Sequence, residues 1–345
     1  MGEDGSTPTD GATRPSDAAA GAEDRTDEDE TPPENRRETT DRPTVSVVVP
    51  TYYRNDRLRA ALSSVADQTY RPVELLVVDG SGEAHARPVV GDFAGEVADD
   101  SYFEWTYVPQ KRDRGPQAAR SLGVDRAAGS YVQLLDDDDR LRPGKFAAQV
   151  PRLEAEDDVG VVYCALADEE WGEIRPDDPI RGDALERALR IDTFPAIPSS
   201  MLIDAGVLAD LLPLGNRHGA DDSGTKIELA RRTEFDYVDE VLVERGKPDD
   251  PLSSSWAHVE GRKRLVEKYA DLYERFPPDV RATAVRQTYY RQGRKHLEEK
   301  PWSAAAVASL ALAAYHTPED RPEYVRDAAA AVFGRPGMAV ADALG

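Results

Sequence analysis

The sequence predicts an open, mostly parallel α/β sheet flanked by helices, and three observations carry that expectation. Short apolar runs recur at 45–49, 73–78, 102–108 and 130–135. Segments with apolar residues at helical spacing separate them, so strand and helix alternate as they do in a parallel sheet with crossover helices. The first, second and fourth runs end in polar residues, and in such sheets ligands sit outside the carboxyl ends of the strands.

The elements follow in order. Val45–Val49 in "TVSVVVPTYYRND" is a β-branched run that fits a strand buried on both faces. In "RNDRLRAALSSVADQT", Leu58, Leu62 and Val65 share a helical face. "PVELLVVDGSG" is a second buried strand closed by Asp79 and Gly80. A weaker helix spans about 86–98, and "YFEWTYV" is the third strand. "GPQAARSLGVDRAAG" reads as a helix with Pro116 in its first turn and Gly129 past its end. "SYVQLL" is the fourth strand. Beyond about 155 the pattern loosens: a strand at 159–165, a helix near 181–190, a short strand in "SSMLI", helices at 205–212 and 224–232, and a last strand in "YVDEVLVER". From 258 to 345 the reading is helical throughout.

Residues 1–42 contain no Val, Ile, Leu, Phe, Tyr or Trp and are rich in Asp, Glu, Thr and Pro. Such a segment cannot bury enough apolar surface to offset chain entropy and is expected to be a disordered acidic tail. The expected organisation is therefore a tail at 1–42, an α/β domain at 43–250 with halves at 43–140 and 141–250, and a helical C-terminal appendage at 258–345.

Composition excludes several function classes. With 66 acidic against 43 basic residues the formal net charge is -23, which leaves no basic footprint for nucleic acid and none for simple attachment to anionic lipid. The single cysteine, Cys164, forms no intramolecular disulfide and no cysteine-based zinc cluster; in "VGVVYCALA" it reads as a buried structural thiol. Without an apolar leader or a run of about 18–20 apolar residues, a cytoplasmic protein is expected. No glycine-rich loop ending in Gly-Lys-Ser/Thr is present, and "GSG" at 80–82 lacks the rest of a dinucleotide fingerprint. The five histidines show no paired ligand spacing; His218 is expected in a surface loop, and Trp171 and Trp256 suit packing or sugar stacking.

The informative stretch is "YVQLLDDDDR". Unit charges about 4 Å apart repel by roughly 1 kcal/mol in water and about 4 kcal/mol at an effective dielectric of 20, so four adjacent carboxylates need compensation. Carboxylates are the hard oxygen ligands that Mg²⁺ or Mn²⁺ prefers. If the chain stays extended, Asp136 and Asp138 point one way and Asp137 the other. That pattern makes Asp136 and Asp138 candidate metal ligands, and leaves Asp137 and Asp139 as spectators. Acidic pairs are common in this chain (Asp99–Asp100, Asp157–Asp158, Asp177–Asp178, Asp249–Asp250), but none of those follows a buried strand on the expected ligand rim.

Taken together, "VSVVVPTYYRNDRLRAALSSVADQTYRPVELLVVDGS" and "GPQAARSLGVDRAAGSYVQLLDDDD" resemble a family-2 glycosyltransferase across about 44–245. The resemblance implies the GT-A fold, a nucleotide-sugar donor, a Mg²⁺ or Mn²⁺ ion, and transfer of one sugar with inversion to a glycan or lipid-linked acceptor. It implies that Pro50 and Tyr52 line the base pocket, that Asp79 anchors the nucleoside, and that Arg120 is the family's arginine on the helix before the fourth strand. Asp136 would then address the ribose or the ion, and Asp138 would ligate the ion directly. In "RHGADDSGTKIELARR", Asp222 matches the general base and Asp221 the acid before it; an N-terminal helix cap is the plainer reading of that pair. Three positions depart from the family pattern: Tyr53 for Asn, Gly80 for a second acid that reads the base, and Ser121 for Asn. The resemblance also admits peripheral contact with the inner face of the cell membrane. No Gln-x-x-Arg-Trp sequence of processive synthases is present.

Two rivals remain at this point. A non-catalytic nucleotide-sugar-binding protein would keep the pocket without turnover. A sugar nucleotidylyltransferase would need a glycine-rich basic loop after the first strand, and "PTYYRND" is not one. The acid excess itself yields a prediction. In molar salt the screening length falls to about 3 Å, so self-repulsion fades. Thermal unfolding followed across a salt series is expected to show melting at low ionic strength and recovery at high; undiminished stability at low ionic strength would contradict a chain built for molar salt.

Overall fold

The computed structural model describes residues 34–35, 42–215, 219–246, 255–316 and 322–344. The first half runs β1 (Glu34–Asn35), β2 (Val45–Thr51), α1 (Asn55–Ala66), β3 (Val73–Asp79), α2 (Arg87–Glu96), β4 (Phe103–Pro109), α3 (Pro116–Arg126) and β5 (Tyr131–Leu134). The second continues with β6 (Arg140–Leu141), α4 (Lys145–Leu153), β7 (Val159–Asp168), β8 (Gly172–Ile174), α5 (Leu185–Leu189), β9 (Leu202–Asp204), α6 (Ala205–Ala209), α7 (Asp221–Ala230) and β10 (Glu234–Arg245). Helices α8 (Trp256–Lys268), α9 (Ala270–Tyr273), α10 (Pro278–Glu299), α11 (Ala304–Tyr315), α12 (Pro322–Ala331) and α13 (Gly334–Leu344) complete it. Of the acidic tail Glu34, Asn35 and Arg42 are described, and the first two pair antiparallel with Thr106 and Trp105 of β4.

Among the described residues the strands form one sheet in the order β1-β4-β3-β2-β5-β9-β7-β10-β6, with β8 on β7. Strands β4, β3, β2 and β5 are mutually parallel, and β7 is parallel to β10. The sheet is mixed because β9 runs antiparallel between β5 and β7. The order reverses beside β2: β3 and β4 lie to one side and β5 to the other, which creates the switch-point crevice where α/β sheets bind ligands.

The β-branched runs behave as their composition demands. Val47 and Val49 enter the cluster that packs under α1, α2 and α4, and Val48 enters the one on the opposite face. Fully burying each such side chain contributes about 1.5–3 kcal/mol. On that second face α3 lies directly on β2, because Gly123 has no side chain. A Cβ there would come within 2.3 Å of the Val48 Cγ1. The missing methyl sets the height of α3 over the sheet, and with it the depth of Arg120, one turn earlier.

The sequence reading passed over α4, whereas α13 falls inside the helical stretch expected at 258–345. Helix α4 is short, carries Pro151 inside it, and buries Lys145 and Gln149 on the same face as Phe146 and Val150. Helix α13 runs through Gly334 and Pro336. The C-terminal helices pack onto α7: Tyr269 donates to Glu228 at 2.6 Å, and Arg231, Arg232 and Lys268 surround the same carboxylate. Its pKa falls to about 2: those donors and cations, the Tyr269 hydroxyl foremost, outweigh the burial that opposes them. Among the described residues no helix is long and apolar enough to cross a membrane.

Candidate active site

Strand β5 ends at Leu134, and Asp136–Asp139 form a turn closed by a hydrogen bond from the Asp139 amide to the Asp136 carbonyl (3.1 Å). The extended alternation expected across the four aspartates therefore stops before it reaches them. Asp137 does not point away from Asp138: Arg54 Nη1 contacts both, at 3.1 and 3.3 Å, and Arg57 stands 3.7 Å from Asp138. Nor are Asp137 and Asp139 spectators. Thr51, at the end of β2, donates to Asp137 (2.8 Å), which ties the two strand ends across the switch point. Asp139 accepts from the Gly246 amide (2.9 Å), just past β10. Both are buried structural members of the turn.

The turn carries unmet negative charge. Burial, then repulsion from Asp136 and Asp137, pushes the Asp138 carboxyl up to about 6 against the pull of Arg54. Burial also raises Asp137 and Asp139, the first opposed by Thr51 and Arg54. Carboxylates held above their ordinary range by burial and by one another are stabilised by a cation, so the donor set fits a divalent ion. No group of three or more His, Cys, Asp or Glu able to hold a metal converges among the described residues. Mg²⁺ characteristically takes one or two carboxylates and completes its shell with phosphate and water, and Asp136 and Asp138 match that pattern.

Arg120 joins this turn to the second half. Its guanidinium contacts Asp136 at 2.5 Å and Asp222 at 3.6 Å, with Gln117 accepting a third bond at 2.8 Å. Burial alone would disfavour its charge, but Asp136 and then Asp222 more than reverse that and hold its pKa above the ordinary range. Asp221 and Asp222 open α7, where the helix dipole favours acids. Asp222 keeps 46% of its side chain accessible, yet protein atoms crowd around it. Desolvation raises its pKa first, with Arg120 opposing.

The nucleoside side is built differently from expectation at one point. Asp79 is 1% exposed, and its oxygens accept from the Ser81 and Ala86 amides (2.8 Å each) and from Tyr107 (2.6 Å). Those bonds lower its pKa despite burial. Asp79 therefore organises the 81–86 loop rather than offering a free carboxylate to a ligand. Pro50 is half-buried near the end of β2, and Tyr52 is exposed beside Gly80, whose added Cβ would find 3.7 Å to the Tyr52 ring. Tyr53 has φ +53°, a region Asn adopts readily and Tyr rarely. It is held there by an edge contact to Tyr52 at 4.8 Å, a ring contact to His85 at 4.7 Å and a bond to the Ser81 carbonyl at 3.2 Å. Ser121 accepts from the Leu214 amide (2.9 Å) and so fixes the chain leading towards α7.

Residues 46–212 match the sequence family described as glycosyl transferase family 2. The chain carries a family-2 glycosyltransferase domain. The GalNAc(5)-diNAcBac-PP-undecaprenol beta-1,3-glucosyltransferase of Campylobacter jejuni is 32% identical over 105 residues, 30% of this chain and 33% of that protein. An uncharacterized glycosyltransferase of Haemophilus influenzae is 25% identical over 178 residues, 49% of this chain and 57% of that one. The chain thus spans a third of the first relative and little over half of the second. Among solved structures, the mannosyltransferase PcManGT of Pyrobaculum calidifontis, in complex with GDP-Man and Mn²⁺, superposes with a TM-score of 0.56 at 22% identity, covering 88% of this chain and 84% of that one. S. aureus TarS in complex with UDP-GlcNAc gives 0.58 at 14% identity, over 86% and 89%. At these identities the likeness establishes the fold, which is of GT-A type.

Several site residues of the glycosyltransferase domain escaped the sequence reading. Arg54 and Arg57 lie in "YRNDR", just beyond Tyr52 on the same rim, and that position was the available signal. Ser199 approaches the Asp136 amide (3.3 Å) only because β9 runs antiparallel beside β5. Beneath it, fully buried Lys145 donates to Gln133 and, at 2.6 Å, to Gln149. Gln133 in turn holds the Pro198 and Ser199 carbonyls. Burial pushes Lys145 down to about 8. Trp256 packs in the helical region against His296 and donates to Glu299 at 2.5 Å, whereas Trp171 is exposed. Cys164 is buried as a structural thiol. His218 lies outside the described residues.

Removing one partner of a buried ion pair leaves the others uncompensated, at a cost of about 3–5 kcal/mol. Arg120→Leu leaves Asp136 and Asp222, which keep 34% and 46% of their side chains accessible, so it is expected to lower the unfolding free energy by less, about 1–3 kcal/mol, in denaturant titration. Arg126→Leu, on the exposed end of the same helix, should shift it by less than about 0.5 kcal/mol.

Proposed function

We propose that this chain transfers a single sugar from a nucleoside-diphosphate donor to a hydroxyl of a glycan or lipid-linked acceptor, with inversion and with a divalent ion. The observation that carries this reading is the Arg120 bridge, which brings Asp136 of the donor rim and Asp222 of the acceptor half onto one guanidinium. Two carboxylates with separate tasks, one beside a diphosphate site and one facing the approaching acceptor, are what an inverting displacement requires.

Asp138 and Asp136 would hold Mg²⁺ or Mn²⁺, which supplies positive charge against the departing diphosphate. Tyr52 and Pro50 form the wall for the base, and the 81–86 loop, held by Asp79, forms its floor. Arg54 and Arg57 fix the aspartate turn. The acceptor hydroxyl gives its proton to Asp222 as its oxygen bonds to the anomeric carbon, on the face opposite the diphosphate. The sugar–phosphate C–O bond breaks and its electron pair leaves with the diphosphate, so the centre inverts. A base whose pKa is lifted toward the working pH is better suited to that task than an ordinary aspartate, and the direction of the Asp222 shift agrees.

The undecaprenol-linked acceptor in the Campylobacter relative's name supports a lipid-linked acceptor here, which would place the work in the cytoplasm and peripherally at the inner membrane face. Exposed Trp302, Tyr315 and Phe333 on the helical region are compatible with such contact. A purely sugar-binding role is disfavoured by the Asp222 placement, since a binder has no use for an acid with a raised pKa opposite the donor rim.

The test is release of nucleoside diphosphate from a panel of nucleotide sugars in the presence of Mn²⁺. Asp222→Asn is expected to reduce turnover by about 10²-fold or more while Mn²⁺-dependent thermal stabilisation by the donor persists. Undiminished turnover in that variant would remove Asp222 from the role of base.

A further inference from the structure

A second charged cluster lies where α8 packs against α7 and α10, and it has the opposite sign. Arg262 is 8% exposed; among the described residues its Nε has no hydrogen-bond partner, and its guanidinium donates to the neutral amide oxygen of Gln287 (3.2 Å). Among the described residues no carboxylate forms an ion pair with Arg262 or with the exposed Arg291. Helical spacing assembles the group. His258 and Arg262 are one turn apart on α8, and Gln287 and Arg291 one turn apart on α10. Lys226 is one turn beyond Asp222 on α7 and donates to the Ala196 carbonyl (2.8 Å).

These groups repel one another. Burial, then Arg291, pushes Arg262 down to about 10. Burial lowers Lys226 to about 8, with Asp222 opposing and Arg262 adding to the fall. Burial lowers His258 to about 4, with Arg262 and Arg291 adding to the fall. His258 Nδ1 contacts the Gly219 carbonyl at 2.6 Å, so the imidazole donates there, two residues before Asp221. Gly219 has φ +91°, and a Cβ on it would fall 2.9 Å from the His258 amide nitrogen. The cluster is thereby fixed rigidly to the start of the helix that carries Asp222.

A buried guanidinium that faces no counter-anion among the described residues is a costly thing to keep, and the chain, at net charge -23, is rich in carboxylates. Guanidinium is also the group best matched to phosphate and carboxylate oxygens. The donor-side arginines are different, since Arg54, Arg57 and Arg120 already face aspartates of the rim. We propose that Arg262 and Arg291 form a binding site for an oxyanion, a phosphate or carboxylate group carried by the acceptor, which holds its hydroxyl against Asp222. The proposal rests on the acceptor-side placement of Asp222 and adds the chemical class of the acceptor to it.

The full-length protein with Mn²⁺ and saturating nucleoside diphosphate, so that the donor rim is filled, is titrated with inorganic phosphate and separately with acetate at constant ionic strength, and the melting temperature is followed. The wild type is expected to be stabilised by one of the two anions: phosphate indicates a phosphate-bearing acceptor and acetate a carboxylate-bearing one. The apparent affinity should fall at least tenfold in Arg262→Gln and in Arg291→Gln; Arg291 is exposed, so its variant keeps the fold. Both variants should retain stabilisation by Mn²⁺ and nucleoside diphosphate. Equal anion responses in wild type and variants would overturn the site, as would no response to either anion, or a response that disappears once the diphosphate is bound. A wild type that binds no nucleoside diphosphate contradicts the glycosyl-transfer reading instead, while an anion response lost in the two variants still supports the oxyanion site.

Discussion

Between β2 and β5 the sheet edge gathers Asp136, Asp137, Asp138 and Asp139 in one turn, with Asp222 a guanidinium's width away, against Arg54, Arg57 and Arg120. Five carboxylates against three cations leave a deficit of positive charge in a partly dehydrated place. The deficit explains the raised pKa of Asp138, and it explains why Arg120 is held so firmly charged. An ion carrying a diphosphate would close the gap on the donor side. The architecture elsewhere serves to hold that unstable grouping in position.

The support is layered. Thr51 and the Gly246 amide hold Asp137 and Asp139 from opposite sides of the turn. Under them, Lys145, Gln133 and Gln149 form a buried polar network that reaches the backbone of Pro198, Ser199 and Ser200. Gly123 lets α3 settle onto β2, which sets the depth of Arg120. On the acceptor side the helical region is not a separate attachment. Tyr269 and Lys268 meet Glu228, and His258 meets Gly219, so the helix bearing Asp222 is clamped from outside the sheet.

The first half of the fold was legible because a parallel strand buried on both faces needs an unbroken apolar run, and "VSVVV" and "VELLVV" are such runs. The second half was not. Helix α4 places polar residues inward to build the network under the turn, and β9 contributes three residues whose antiparallel direction has no local signature. The residues gathered at the rim were readable as a set, since Asp136, Asp138, Arg120 and Asp222 do converge. Their geometry was not: alternation along an extended chain fails where the chain turns, and Asp79 is consumed by its own loop. The arginines missed by the reading, Arg54 and Arg262, are ordinary surface-type residues in sequence. Only burial and the absence or presence of a facing acid give them meaning.

The central claim is that the aspartate turn is completed by an ion and a diphosphate together, not by protein ligands alone. Calorimetric titration of Mn²⁺ into the protein, with and without a saturating nucleoside diphosphate, tests it most directly. The account predicts weak binding of Mn²⁺ alone and at least about tenfold tighter binding with the diphosphate present, reciprocally for the diphosphate. Equal Mn²⁺ affinity in both titrations would contradict it.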